Sequence, residues 1–172
     1  MKECAMPGNE TRLETSHCSV LLEETVSALA VVAGGSYIDG TLGSAGHAAA
    51  ILARAGATGR LLGIDRDCAA LARSRLRLAA VPGQATLVQG AHGNLRALAE
   101  ANGFEAVDGI LLDLGVSSDQ LDTPERGFSF RFEGPLDMRM DQTQGESAAT
   151  VIAQADAATL TEIFRRLGEE PQ

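Results

Sequence analysis

Short apolar runs that close on a polar residue alternate along this chain with longer stretches in which apolar side chains recur every third or fourth position. The first pattern suits strands of a sheet covered on both faces, the second helices laid against it. Four runs read as strands: Ser36–Asp39, Arg60–Ile64 followed by Asp65, Thr86–Val88, and Val107–Asp113, the last expected to be central and buried on both faces. Helices are predicted from Ser19 through Leu22, Val26 and Leu29, and over His47–Arg54, Asp67–Leu78, Leu95–Ala101, Ser147–Gln154 and Ala157–Leu167. Ser19 is the expected N-cap of the first, with Glu23 and Glu24 in its early turns and Gly34-Gly35 closing it. Asp156 and Gly168 bracket the last, whose apolar stripe is Leu160, Ile163, Phe164 and Leu167.

Alternation at this spacing predicts a parallel α/β sheet with its ligand site at the carboxyl ends of the strands. Asp39, Asp65, His92 and Asp113 all stand at or just after those ends, so they are expected to gather on one rim. Between the first strand and its helix lies Gly40-Thr41-Leu42-Gly43-Ser44-Ala45-Gly46, a G-x-x-G-x-x-G turn rather than the G-x-G-x-x-G of dinucleotide enzymes. Such a turn is either a loop that cradles a phosphate or cofactor or a plain tight turn. Asp65 stands 19 residues beyond Gly46, the distance at which a βαβ unit brings a carboxylate to the hydroxyls of a ribose. The alternative role for Asp65 is a cap on the helix that follows.

After Asp113 the segment 114–140 shows no helical period, yet it holds Phe128, Phe130 and Phe132 together with Arg126, Arg131 and Arg139. A long loop inside a compact domain is functional or disordered, and this apolar content argues for an ordered active-site loop. The arginines either hold phosphates or pair with Glu125, Glu133 and Asp137 as scaffolding. Phe128 and Phe130, alternating about Ser129, either face the core or form a platform on which a base stacks.

Composition narrows the setting. A chain of 172 residues predicts one main domain. No run approaches the ~18 apolar residues of a membrane span. The polar start MKECAMPGNETRLE has no signal-like apolar segment, so a cytoplasmic location is expected. Residues 1–16 are expected to be flexible. Cys4, Cys18 and Cys68 lack CxxC spacing and neighbouring ligands, which predicts thiols and no metal site. A net charge of −9 argues against generic nucleic-acid binding, but not against an RNA presented by a partly protein-coated particle.

Several blocks together carry a resemblance. They are His17-Cys18-Ser19-Val20-Leu21-Leu22, Tyr37-Ile38-Asp39-Gly40-Thr41-Leu42-Gly43, Gly63-Ile64-Asp65-Arg66-Asp67, Leu112-Asp113-Leu114-Gly115-Val116-Ser117-Ser118, Arg126-Gly127-Phe128-Ser129-Phe130 and Gly134-Pro135-Leu136-Asp137-Met138-Arg139-Met140. In this order they resemble the bacterial RsmH (MraW) family, whose members use S-adenosylmethionine to methylate the N4 amine of a cytosine in small-subunit (16S) ribosomal RNA. The resemblance implies a Rossmann-like class I S-adenosylmethionine-dependent methyltransferase sheet. Residues 17–140 would be its front four parallel strands with an active-site loop over 114–140. Residues 141–172 would begin a helical insertion domain, the chain ending early for the family.

The resemblance further implies cofactor contacts at Ala45, Gly46 and His47 (methionine end), Asp65 (ribose), His92, Asp113 and Gln120. It implies small-subunit ribosomal RNA as the partner and leaves room for a homodimer, with neither metal nor membrane. Asp113 is the candidate for orienting the target amine, the alternative being that it contacts the cofactor alone. Family members usually carry Gly at 45 and Phe at 92. Ala45 suits the site only where the backbone avoids positive φ, and His92 stacks on an adenine less strongly than Phe. Two rival functions stand beside this one: a methyltransferase of small molecules and a non-catalytic cofactor-binding fragment.

Overall fold

The structure is a computed structural model and describes residues 19–170. The terminus expected to be flexible over 1–16, and with it Cys4, His17 and Cys18, lies outside the described residues. The chain divides into two compact units, 1–115 and 116–172.

The first unit is a four-stranded, wholly parallel sheet: β1 (Ser36–Asp39), β2 (Arg60–Asp65), β3 (Gln84–Gln89) and β4 (Gly109–Leu111), in the order β3-β2-β1-β4. Helix α1 (Leu22–Ala28) precedes β1, and α2 (Gly46–Ala55), α3 (Cys68–Leu78) and α4 (Leu95–Ala101) follow β1, β2 and β3. Successive strand side chains part onto the two faces of the sheet. Tyr37 and Leu61 join Val26, Ile51, Leu52 and Leu71 from α1, α2 and α3. Ile38, Leu62 and Ile64 join Ala99 of α4 and Phe104. Helices thus cover both faces, and the crossover after β3 changes side. This is the front of a Rossmann-like, doubly wound sheet, with its strand order reversing between β1 and β4.

β4 departs from expectation. It spans three residues instead of running from Val107 to Asp113. Among the described strands it pairs only with β1, and Ile110 is 47% exposed. The ladder stops where the Asp113 amide turns to a side chain, the Thr41 hydroxyl. An apolar run between Gly and Asp does not reveal where its ladder ends. Ser19 is also not the cap of α1. That helix starts behind Leu21, which is left-handed at φ 52 and gives no side-chain cap. The Ser19 side chain lies against Gly46 instead, filling the space a Cβ there would need.

In the second unit the loop is ordered but contains a helix that its lack of period did not announce, α5 (Ser118–Asp122). Ser117 and Gln120 close a capping box, each side chain accepting the other's backbone N–H. Beyond it the chain folds back on itself. The Met138 amide donates to Arg126 O at 3.0 Å, and the Arg126 guanidinium donates to the carbonyls of Arg139 and Met140 at 3.1 and 2.9 Å. Arg139 forks onto Asp137 at 2.9 and 2.7 Å, which holds the Asp137 carboxyl at about 2. Two of the three arginines therefore scaffold the loop. Phe130 is 99% exposed and so does not face a core. Helices α6 (Ala148–Gln154) and α7 (Ala157–Leu167) follow, capped by Ser147 and Asp156.

The fold-back needs glycine at Gly127, where φ is +71 and a Cβ would overlap the Pro135 carbonyl. Left-handed backbone costs ~1 kcal/mol for a residue with a Cβ, and overpacking against backbone adds about 1–3 kcal/mol. Gly127→Ala should therefore lower stability by about 2–4 kcal/mol in urea denaturation followed by circular dichroism. Unchanged stability would contradict this description of the loop.

Candidate functional site

Three carboxylates meet at the carboxyl ends of the strands. Asp39 closes β1 and is 1% exposed, with Oδ1 accepting the Thr41 N–H at 3.1 Å. Burial pushes its carboxyl up to about 7. The Thr41 bond opposes that rise, and the charges of Asp65 and Asp113 reinforce it. The acids at the ends of β1 and β2 and beyond β4 thus lie close enough to feel one another, on one side of the sheet. Asp65 accepts the Gly43 N–H on Oδ2 and the Asp67 N–H on Oδ1, both at 2.8 Å. Asp67, not Asp65, caps α3, by accepting the Ala69 N–H. Each Asp65 oxygen keeps a second lone pair for a further donor.

The glycine-rich turn spends its amides on the protein. Gly40 N–H goes to Leu111 O, Leu42 N–H to Ile64 O and Ala45 N–H to Leu42 O, while Thr41 and Gly43 serve Asp39 and Asp65. From outside, Ser74 Oγ and Arg77 Nη1 hold the Gly43 and Ser44 carbonyls at 3.0 and 3.1 Å. A phosphate nest needs such amides pointing outward. With five of the seven amides of residues 40–46 so engaged, the turn is not built as a phosphate nest.

Ala45 precedes α2 in the left-handed conformation, φ 58 and ψ 31, so the condition that its backbone avoid positive φ is not met. The strain, ~1 kcal/mol, is offset by a methyl that is fully buried in the core, worth ~0.8 kcal/mol, and by the smaller entropy Ala loses on folding. Gly46 opens α2 beneath Ser19. Ala45 supplies no side-chain cap, so the first-turn amides keep their orphan character and the helix dipole favours a negative group there.

His47 is 7% exposed and its Nε2 lies 3.1 Å from Val20 O. A carbonyl only accepts, so Nε2 carries the proton. Nδ1 then faces Asp113 Oδ2 at 4.0 Å. His92 opens a single helical turn after β3 and is exposed, with its Cβ beside Gly40. The first unit therefore brings together Ala45, Gly46, His47, Asp65, His92 and Asp113. Gln120 belongs to the second unit, buried in the α5 capping box.

Two residues enter that the expected contacts omitted. Asp39 had been placed on the rim by its position at a strand end, but its burial is visible only in the fold. Thr41, whose hydroxyl accepts the Asp113 N–H at 2.6 Å, had no signal in the sequence, since its partner is 72 residues away. Among the described residues no group of three His, Cys, Asp or Glu is arranged to hold a metal ion, and no helix is long and apolar enough to cross a membrane.

The model of the MraW methylase family matches residues 14–172. Ribosomal RNA small subunit methyltransferase H of Trichlorobacter lovleyi is 50% identical over 157 residues, covering 91% of this chain and 50% of that protein. The protein of the same name from Thermomicrobium roseum is 47% identical over 172 residues, covering 100% of this chain and 53% of its own length. The chain spans about half the length of the curated relatives it matches. A solved structure titled a putative rRNA-methylase from Clostridium thermocellum aligns over 49% of this chain and 46% of that one, with 22% identity and a TM-score of 0.41. The fold stands on the strand order itself.

Asp39 gives the site a pH signature. Its folded pKa of about 7 lies above the ordinary 3.8, so the folded state keeps a proton that the unfolded state releases. Stability is full below about pH 4 and falls as pH rises through about 7, by up to ~4 kcal/mol. Asp39→Asn keeps an oxygen for the Thr41 amide and removes the titration. Its thermal midpoint should rise above that of the parent chain by more at pH 8 than at pH 5. An equal difference at both would show that Asp39 is not a buried, raised carboxyl.

Proposed function

The chain belongs to the MraW methylase family, and we propose that its residues bind S-adenosylmethionine and serve the transfer of a methyl group to the N4 amine of a cytosine in 16S ribosomal RNA. The observation that carries this reading is the meeting of Asp39, Asp65 and Asp113 around a turn whose amides face inward. When bound, the cofactor supplies a methyl on a sulfonium, and it also carries an ammonium, a carboxylate and a ribose. Cationic groups complement Asp39 and Asp113. His47 Nδ1 and Asp113 Oδ2, two acceptors 4.0 Å apart, suit a donor with more than one N–H. Asp65 retains lone pairs for ribose hydroxyls, the first turn of α2 suits a carboxylate, and His92 offers a ring to the adenine. Gln120 enters by family resemblance alone.

A cytosine amine is a poor nucleophile, because its lone pair is conjugated with the ring. Positioning therefore supplies much of the rate. Asp113, with a side chain 59% exposed, is the group for orienting that amine and accepting its hydrogen bond. In this reading residues 17–140 form the cofactor domain with its active-site loop over 114–140, and 141–172 begin a helical insertion. The relatives' names support the RNA class, and a ribosomal RNA substrate is consistent with work in the cytoplasm. The alternative reading is a unit that binds the cofactor without turnover.

Titration calorimetry with S-adenosylmethionine, with NADH as control, separates these readings. Cofactor affinity should rise about tenfold from pH 6 to pH 8 as Asp39 ionises, while NADH should not bind. Affinity that ignores pH, or a preference for NADH, would sink the cationic pocket. Incubation with small ribosomal subunits and methyl-labelled cofactor tests the transfer. Asp113→Asn should lower labelling by at least tenfold with cofactor binding kept, and loss of binding alone would leave Asp113 a cofactor contact only.

A further inference from the structure

β4 ends at Leu111, and Leu112 and Asp113 leave the sheet as an exposed strand of chain, with Leu112 46% exposed and the Asp113 side chain 59% exposed. Packing therefore does little to fix Asp113. What does hold it is one bond, from its amide to Thr41 Oγ1 at 2.6 Å. Thr41 is tied down in turn, its own amide donating to Asp39 Oδ1 at 3.1 Å. Thr41 thus bridges two stretches of chain, its amide donating to the Asp39 carboxyl and its hydroxyl accepting from the Asp113 amide.

We infer that Thr41 is a positioning residue for Asp113: held to the buried acid of β1 by its amide, it anchors the chain leaving β4 by its hydroxyl and so fixes where the Asp113 carboxylate faces His47. The inference deepens the functional reading above and rests on it only for the consequence in binding or turnover; the geometry stands by itself. The link lies between β1 and β4, where the strand order reverses and open α/β sheets place their ligands. Valine has the shape of threonine but cannot accept the Asp113 amide, whereas serine can.

The test uses the chain with Thr41→Val and Thr41→Ser. Amide hydrogen exchange by NMR reads the bond directly. Exchange at Asp113 should quicken at least tenfold in Thr41→Val and return to within about threefold of the parent in Thr41→Ser, with β2 amides unchanged in both. Equal protection in Thr41→Val, or equal loss in both variants, overturns the inference. The second readout is a double-mutant cycle with Asp113→Asn on cofactor affinity and on methyl transfer. Thr41→Val should weaken by about tenfold whichever quantity Asp113→Asn weakens, and should add less than twofold on top of it. Fully additive losses overturn a positioning role. A parent chain that fails to bind S-adenosylmethionine would sink the functional reading while the exchange measurement still decides the bond.

Discussion

Parallel pairing of β1 with β2 along one edge and with β4 along the other obliges three separate stretches of chain to leave the sheet side by side. Each leaves with an acid at its last paired residue or two residues beyond it. The burial of Asp39, the two amides gathered by Asp65 and the outward turn at Asp113 all follow from that register. Burial raises the proton affinity of Asp39, and the charges of Asp65 and Asp113 add to it. The glycine-rich turn contributes by giving amides of its own to Asp39 and Asp65.

The sheet was legible because its strands are short, apolar and closed by polar residues, and its helices carry clean stripes. The rim acids were legible for the same reason: they terminate runs. Asp65 could not be separated from Asp67 as the helix cap, since both stand at the right distance from α3, and only hydrogen bonding tells them apart. The short span of β4 was not legible, because an apolar run carries no record of where its ladder ends. Ala45 exposes a subtler limit. A left-handed backbone argues for glycine, but the sequence does not show that the methyl would be buried well enough to compensate. Thr41 was invisible for a topological reason, its partner being distant along the chain and near only across the sheet.

In the second unit the same residue types do different work. Arg126 and Arg139, which by charge alone suit phosphates, are taken up by carbonyls and by Asp137 within their own loop. The loop keeps its shape through these bonds and through glycines at its crossings, without the large apolar core that supports the sheet. The capping box of α5 shows that local signals persist where longer periodicity is missing.

Because β4 has β1 on one side only, one row of its backbone amides and carbonyls meets no ladder partner among the described strands, beside the half-exposed Ile110. Such a rail is a template for any extended segment that approaches it. It carries no proline, and Gly109-Ile110-Leu111 carries no charge to repel a newcomer. Among the described strands, Gly109–Leu111 is therefore where the sheet can be extended by one more strand through backbone pairing alone.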